Sequence, residues 1–176
     1  LKAARKWGYT RKGIPADEAE VITCQGNFHG RTISIVSFSS DQQYREGFGP
    51  FTPGFKIIPY GDADALRRAI TPHTCAFLVE PIQGEGGYIV PPPDFHQKLH
   101  QLAKEFGILF VADEVQSGMG RTGKMMAIEH WGVVPDIIAL AKGLASGMPL
   151  GATVAQSEVM DWVPGSHAST FGGNPI

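Results

Sequence analysis

The stretch from Thr74 to Glu114 constrains the fold more than any other part of the chain. Thr74–Cys75–Ala76–Phe77–Leu78–Val79 is a short continuous run, the length of a strand buried on both faces. Gly84, Gly86, Gly87 and the three prolines at 91–93 then break the pattern. Asp94 is placed to cap a helix in which Phe95, Leu99, Leu102 and Phe106 recur at steps of 4, 3 and 4, and Gly107 stops it. Ile108–Leu109–Phe110–Val111–Ala112 is the next buried run, and it ends on Asp113–Glu114. Strand, helix and strand in that order form a βαβ unit, with parallel strands and a right-handed crossover.

The same alternation extends in both directions. Strands are expected at Val21–Cys24, Lys56–Pro59, Asp136–Leu140 and Gly151–Ala155. Helices are expected after Gly30 and over Ala63–Ile70, with a helix tail at Leu1–Trp7. The fold class is therefore α/β with a mostly parallel sheet, and such sheets bind ligands beyond the carboxyl ends of their strands. At 176 residues there is room for one domain with a sizeable core. Fifteen basic and 17 acidic side chains leave a formal charge of −2, with no basic excess to hold nucleic acid or an anionic membrane. The two cysteines, Cys24 and Cys75, lie in no metal-binding or redox motif and read as small buried hydrophobes.

Polar residues just after the strands are the candidates for chemistry. Asp113 and Glu114 cannot both be expected to point into the core; one faces the cleft, or else caps a helix or sits in a turn. Lys142 follows the run Ile137–Ala141 and precedes small residues. It is either a surface lysine with a buried stem, or an amine whose pKa falls by desolvation until it becomes a nucleophile. Asn27–Phe28–His29–Gly30–Arg31–Thr32 offers an aromatic face, an imidazole and a guanidinium able to fork onto a carboxylate. There His29 is either titrating or structural, and Phe28 alone would be read as core. Glu80 and Glu85 are five residues apart, suited to acid/base work or to pairing with arginines. Ser169–Thr170–Phe171–Gly172–Gly173 could present hydroxyls and N–H groups to an anion. Gly120–Lys124 lacks the spacing of a P-loop.

Taken in order, these segments resemble the class III (ornithine/4-aminobutyrate type) pyridoxal-phosphate aminotransferases. The most specific part is Phe110–Val111–Ala112–Asp113–Glu114–Val115–Gln116–Ser117–Gly118–Met119–Gly120–Arg121–Thr122–Gly123, with Lys142 following Asp113 by 29 residues. The resemblance implies the large domain of a fold type I enzyme, a three-layer αβα sandwich that is only partial here. It implies pyridoxal 5'-phosphate as cofactor. Lys142 would carry the cofactor covalently and then shuttle a proton. Asp113 would pair with the pyridinium nitrogen, Gln116 would hydrogen-bond the phenolic oxygen, and Phe28 would stack on the ring. Thr170 would reach the phosphate bound by a neighbouring subunit, in a homodimer with shared sites. Arg31 would take the donor's carboxylate; Glu85 would mask a second arginine, with Glu80 supporting its loop.

Tyr44–Arg45–Glu46–Gly47–Phe48–Gly49–Pro50 and Ile58–Pro59–Tyr60–Gly61–Asp62 lean toward ornithine-using members. Ala127–Val133 and Gly147–Gly151 lean toward those using 4-aminobutyrate or acetylornithine. The implied reaction moves the δ-amine of ornithine to 2-oxoglutarate; an aminomutase or a non-catalytic relic is a more distant reading. Because the chain opens on Leu1 and stops at Ile176, we expect residues 1–176 to be part of a longer enzyme, without its N-terminal segment and small C-terminal domain and inactive alone. A cytoplasmic location is the default expectation, and no run approaches the ~20 apolar residues of a membrane helix.

Overall fold

The structure, a computed structural model, describes residues 1–169. Six strands form one sheet: β1 (Glu20–Cys24), β2 (Phe55–Ile58), β3 (Thr74–Val79), β4 (Leu109–Asp113), β5 (Ile137–Leu140) and β6 (Ala152–Ala155). Their order is β2-β1-β3-β4-β5-β6. All neighbours are parallel except β5 and β6, which pair antiparallel with Leu140 opposite Ala152. The expected strands therefore form, each within a residue or so of its sequence limits.

Alternation along the strands divides the core in two. Ile22, Phe77, Val79 and Phe110 face one side, where helices α3 (Ala63–Ala69) and α4 (Phe95–Phe106) pack on them. Val21, Leu78, Leu109 and Val111 face the other, against α1 (Lys2–Trp7). Helices on both faces of the sheet make three layers. The helix expected after Gly30 shrinks to the single turn α2 (Ile33–Val36).

Two local expectations give way. Asp94 occupies the N-cap of α4, but its carboxylate turns to Lys98 Nζ at 2.6 Å and makes no cap hydrogen bond. Phe106 is exposed at the end of α4, lying under the Arg67 guanidinium, while His96 takes the buried place beside Phe95. Helix α4 does stop where expected, because Gly107 adopts φ 56°, where a side chain would be strained. Cys24 and Cys75 are both buried and unpaired, one in each half of the core with the sheet between them. No helix among the described residues is long and apolar enough to cross a membrane.

Candidate active site

Because β1, β3, β4 and β5 run parallel side by side, their carboxyl ends lie along one edge. Each hands its next residues to that edge: the loop at Gln25–Thr32, Glu80, Asp113 and Lys142. Sequence segments more than a hundred residues apart are joined there by the topology alone.

Asp113 closes β4 on the same face as Leu109 and Val111, since residues two apart share a face. Its Oδ1 accepts from the Val115 N–H at 3.0 Å, and its Oδ2 accepts from His29 Nδ1–H at 2.6 Å. The side chains are 10% and 2% exposed, so this contact is shielded from water. His29 Nε2 is buried with no hydrogen-bond partner among the described residues. With Nδ1 donating to a carboxylate, the second ring nitrogen is left as a bare acceptor. The sequence pattern left His29 open between titrating and structural roles; its contact makes it the residue that orients Asp113.

The two adjacent acids part company, Asp113 facing the cleft and Glu114 the interior. Glu114 is 1% exposed and points to the opposite face, accepting from Ser117 Oγ at 2.6 Å and the Ile128 N–H at 2.8 Å. A buried carboxylate is tolerable when such donors surround it.

Glu80 is also buried, and it ties two loops together. Oε1 accepts from the Phe28 N–H at 2.9 Å and Oε2 from the Gly84 N–H at 3.0 Å. Burial pushes its carboxyl above the usual range, and the two backbone donors pull against that. Asn27 fixes the first loop by donating to the carbonyls of Cys24 and Phe38, while Gln83 Nε2 donates to the Gln25 carbonyl from the second. Tyr60 Oη donates to the carbonyls of Glu80 and Pro81, and His96 Nε2–H reaches the Pro81 carbonyl at 2.9 Å.

Burial lowers His96 from 6.5 to about 4. Between those values the unfolded chain takes up a proton that the folded chain refuses, so stability falls as pH falls. We expect His96→Gln, which keeps a donor at that place without titrating, to remove this slope. In urea titrations, wild type should lose about 2 kcal/mol more than the variant between pH 7 and pH 5. Equal losses would show that His96 does not set the slope.

A cavity of about 190 Å³ gathers Phe28, His29, Glu80, Asp113, Gln116 and Lys142. A larger one of about 590 Å³ adjoins it through Gln116 and Lys142 and extends to Tyr88, Met119 and Arg121. Lys142 is exposed where the two meet. Its φ of 44° is unusual for a non-glycine residue, and such strain gathers at functional sites. A Cβ at Gly84 would collide with the Gln116 side-chain amide, so only glycine lets that amide lie over the loop.

Arg31 and Glu85 stand outside the smaller cavity. Arg31 is exposed, with its guanidinium 4.3 Å from the Tyr44 ring centroid and 5.4 Å from that of Phe28. Glu85 is exposed and lines a separate cavity with Phe28 and Tyr44. Thr170 lies outside the described residues.

A carboxylate, a primary amine, an aromatic face and an amide around one small cavity suit a planar pyridine carrying an aldehyde and a phenolic oxygen. No group of three or more candidate metal ligands occurs among the described residues.

Comparison with known proteins agrees with that chemistry. A family model described as "Aminotransferase class-III" matches residues 1–176. An ornithine aminotransferase of Brevibacillus brevis is 54% identical over the whole chain, which covers 45% of that relative. A solved ornithine aminotransferase from Toxoplasma gondii, described with partial occupancy of PLP at its active site, is 47% identical with a TM-score of 0.95; the match covers 97% of this chain and 41% of that one. An acetylornithine aminotransferase from Elizabethkingia anophelis is 48% identical with a TM-score of 0.80, covering 97% of this chain and 42% of its own. The chain thus spans under half the length of the proteins it matches.

Proposed function

The chain belongs to the class III aminotransferases, and on that premise we propose that the longer enzyme containing it moves the δ-amine of ornithine to 2-oxoglutarate. The products are glutamate semialdehyde and glutamate. The observation that carries this reading is the convergence of Phe28, Asp113, Gln116 and Lys142 on one cavity at the carboxyl edge of the sheet. When bound, pyridoxal phosphate supplies an aldehyde for the amine and a ring that accepts the electron pair released at the amine-bearing carbon.

The residues of this chain divide the remaining work. Asp113, oriented by His29, holds the proton on the ring nitrogen. Phe28 covers one ring face, and Gln116 donates toward the phenolic oxygen. Lys142 anchors the cofactor through its Nζ and then moves the proton at the amine-bearing carbon of the donor. Arg31 binds the donor's α-carboxylate, which places the distal amine at the reacting end. Glu85, on a loop that Glu80 fastens, acts on the acceptor side by pairing with an arginine outside this chain. The family resemblance assigns the active enzyme a homodimer with shared sites, and on that basis Thr170, outside the described residues, is given the phosphate held by a second subunit. The chain is the major part of its cofactor-binding domain.

The acetylornithine aminotransferase among the structural neighbours supports a second reading, in which the donor carries an acetylated α-amine. Offering the complete enzyme ornithine, N-acetylornithine or 4-aminobutyrate with 2-oxoglutarate separates these. Glutamate should form fastest with ornithine. Preference for another donor would move the assignment within the family, and an isomerised product without any acceptor would end the transfer reading.

A further inference from the structure

Arg31 makes no ion pair or side-chain hydrogen bond among the described residues; its contacts are two aromatic rings. Phe28 and Tyr44 stand edge to face, with centroids 5.7 Å apart at 76°, and the guanidinium lies in the angle between them. It sits closer to Tyr44, at 4.3 Å, than to Phe28, at 5.4 Å. A ring engages the flat face of a guanidinium and leaves its edge, which carries the N–H donors, free. A free arginine would sample many rotamers and lose that freedom when it bound a carboxylate; one held by its face has lost part of it already.

Tyr44 is itself well placed for this. It ends a short 3₁₀ turn, Gln42–Tyr44, whose cap Asp41 accepts from the Gln43 N–H at 2.8 Å. Ser40, just before that cap, accepts through its Oγ from the Gly26 N–H at 2.8 Å. The segment bearing Tyr44 is thus pinned to the loop bearing Phe28 and Arg31.

We propose that Tyr44 is a positioning residue for carboxylate recognition: its ring holds the Arg31 guanidinium by the face, so that the N–H edge meets the donor's carboxylate already oriented. This rests on the assignment of Arg31 as the carboxylate-binding group. The phenolic oxygen has no part in it, so the ring alone should suffice.

The test uses the complete, cofactor-loaded enzyme with ornithine as the varied substrate. Tyr44→Leu should raise KM roughly tenfold while leaving kcat within about twofold, because the lost contact is made before and during the chemical step alike. Tyr44→Phe should keep both constants within about twofold of wild type. In an Arg31→Ala background, Tyr44→Leu should add almost nothing, since the group it positions is gone. An unchanged KM in Tyr44→Leu, or Tyr44→Phe as impaired as Tyr44→Leu, would overturn the proposal. So would full additivity with Arg31→Ala, which would mean that the tyrosine supports the loop and not the arginine. If Arg31→Ala itself leaves KM unchanged, the Arg31 assignment falls and the proposal falls with it. If only Tyr44→Leu is silent, the assignment stands and the proposal alone is lost.

Discussion

Asp113→Asn in the complete enzyme should lower kcat by roughly 10²–10³-fold, with a much smaller change in KM for the donor. Asparagine fills the same space: its Oδ1 can still accept from the Val115 N–H, and its Nδ2–H can donate to His29 Nδ1 once the ring proton moves to Nε2. What it cannot supply is a negative charge opposite a protonated ring nitrogen. In a site where Asp113 is only 10% exposed, that charge is screened very little by water. Steady-state kinetics at saturating donor decide the matter, and an unaltered kcat would remove Asp113 from the chemistry. His29→Leu should cost less than Asp113→Asn, since the carboxylate remains and loses only its orientation.

Lys142→Ala should be the more severe change. Turnover should fall by at least about 10³-fold, because the variant loses both the covalent anchor and the base that moves the proton. The variant should also lose the visible absorption of the lysine-bound cofactor, a readout independent of turnover. Full-strength colour in the variant would mean that another lysine holds the cofactor. The exposure of Lys142 fits a residue on a rim, where an aldehyde can reach it from the adjoining cavities.

Much of the scaffold could be read from residue types alone, because one physical signal dominated each element. Thr74–Val79 is buried along its whole length, so an uninterrupted apolar run sufficed to fix both of its ends. Gly107 could be read as a stop because few other residues accept its backbone angle. The failures lie where two partners competed for one group. Asp94 had the α4 backbone and Lys98 within reach, and the ammonium prevailed over the amides. Phe106 continues the apolar spacing of α4, yet as the helix's last residue it stays exposed beneath Arg67. Which of the two acids takes the interior could not be read in advance, because the donors that settle Glu114 there, Ser117 and the Ile128 N–H, have no periodic signature.

The site was legible in its strand-end residues and opaque in its supports. Asp113 and Lys142 stand out because charged residues directly after buried runs must face the sheet's edge. His29 and Tyr44 carry no such mark. One gains its meaning from a partner 84 residues away, and the other from an arginine on a different loop. Contacts of that kind depend on the fold being complete, and no local pattern announces them.

The Glu80 carboxylate has a consequence for how this site can change. One oxygen holds the loop of Phe28 and Arg31, and the other holds the loop of Gly84 and Glu85. The two loops therefore share a fastening, reinforced where Gln83 donates to the Gln25 carbonyl, and neither can drift far without loosening the other. Efforts to re-aim the enzyme at new amines, by nature or by design, should find that segments 25–32 and 80–90 transplant well as a matched set and poorly one at a time.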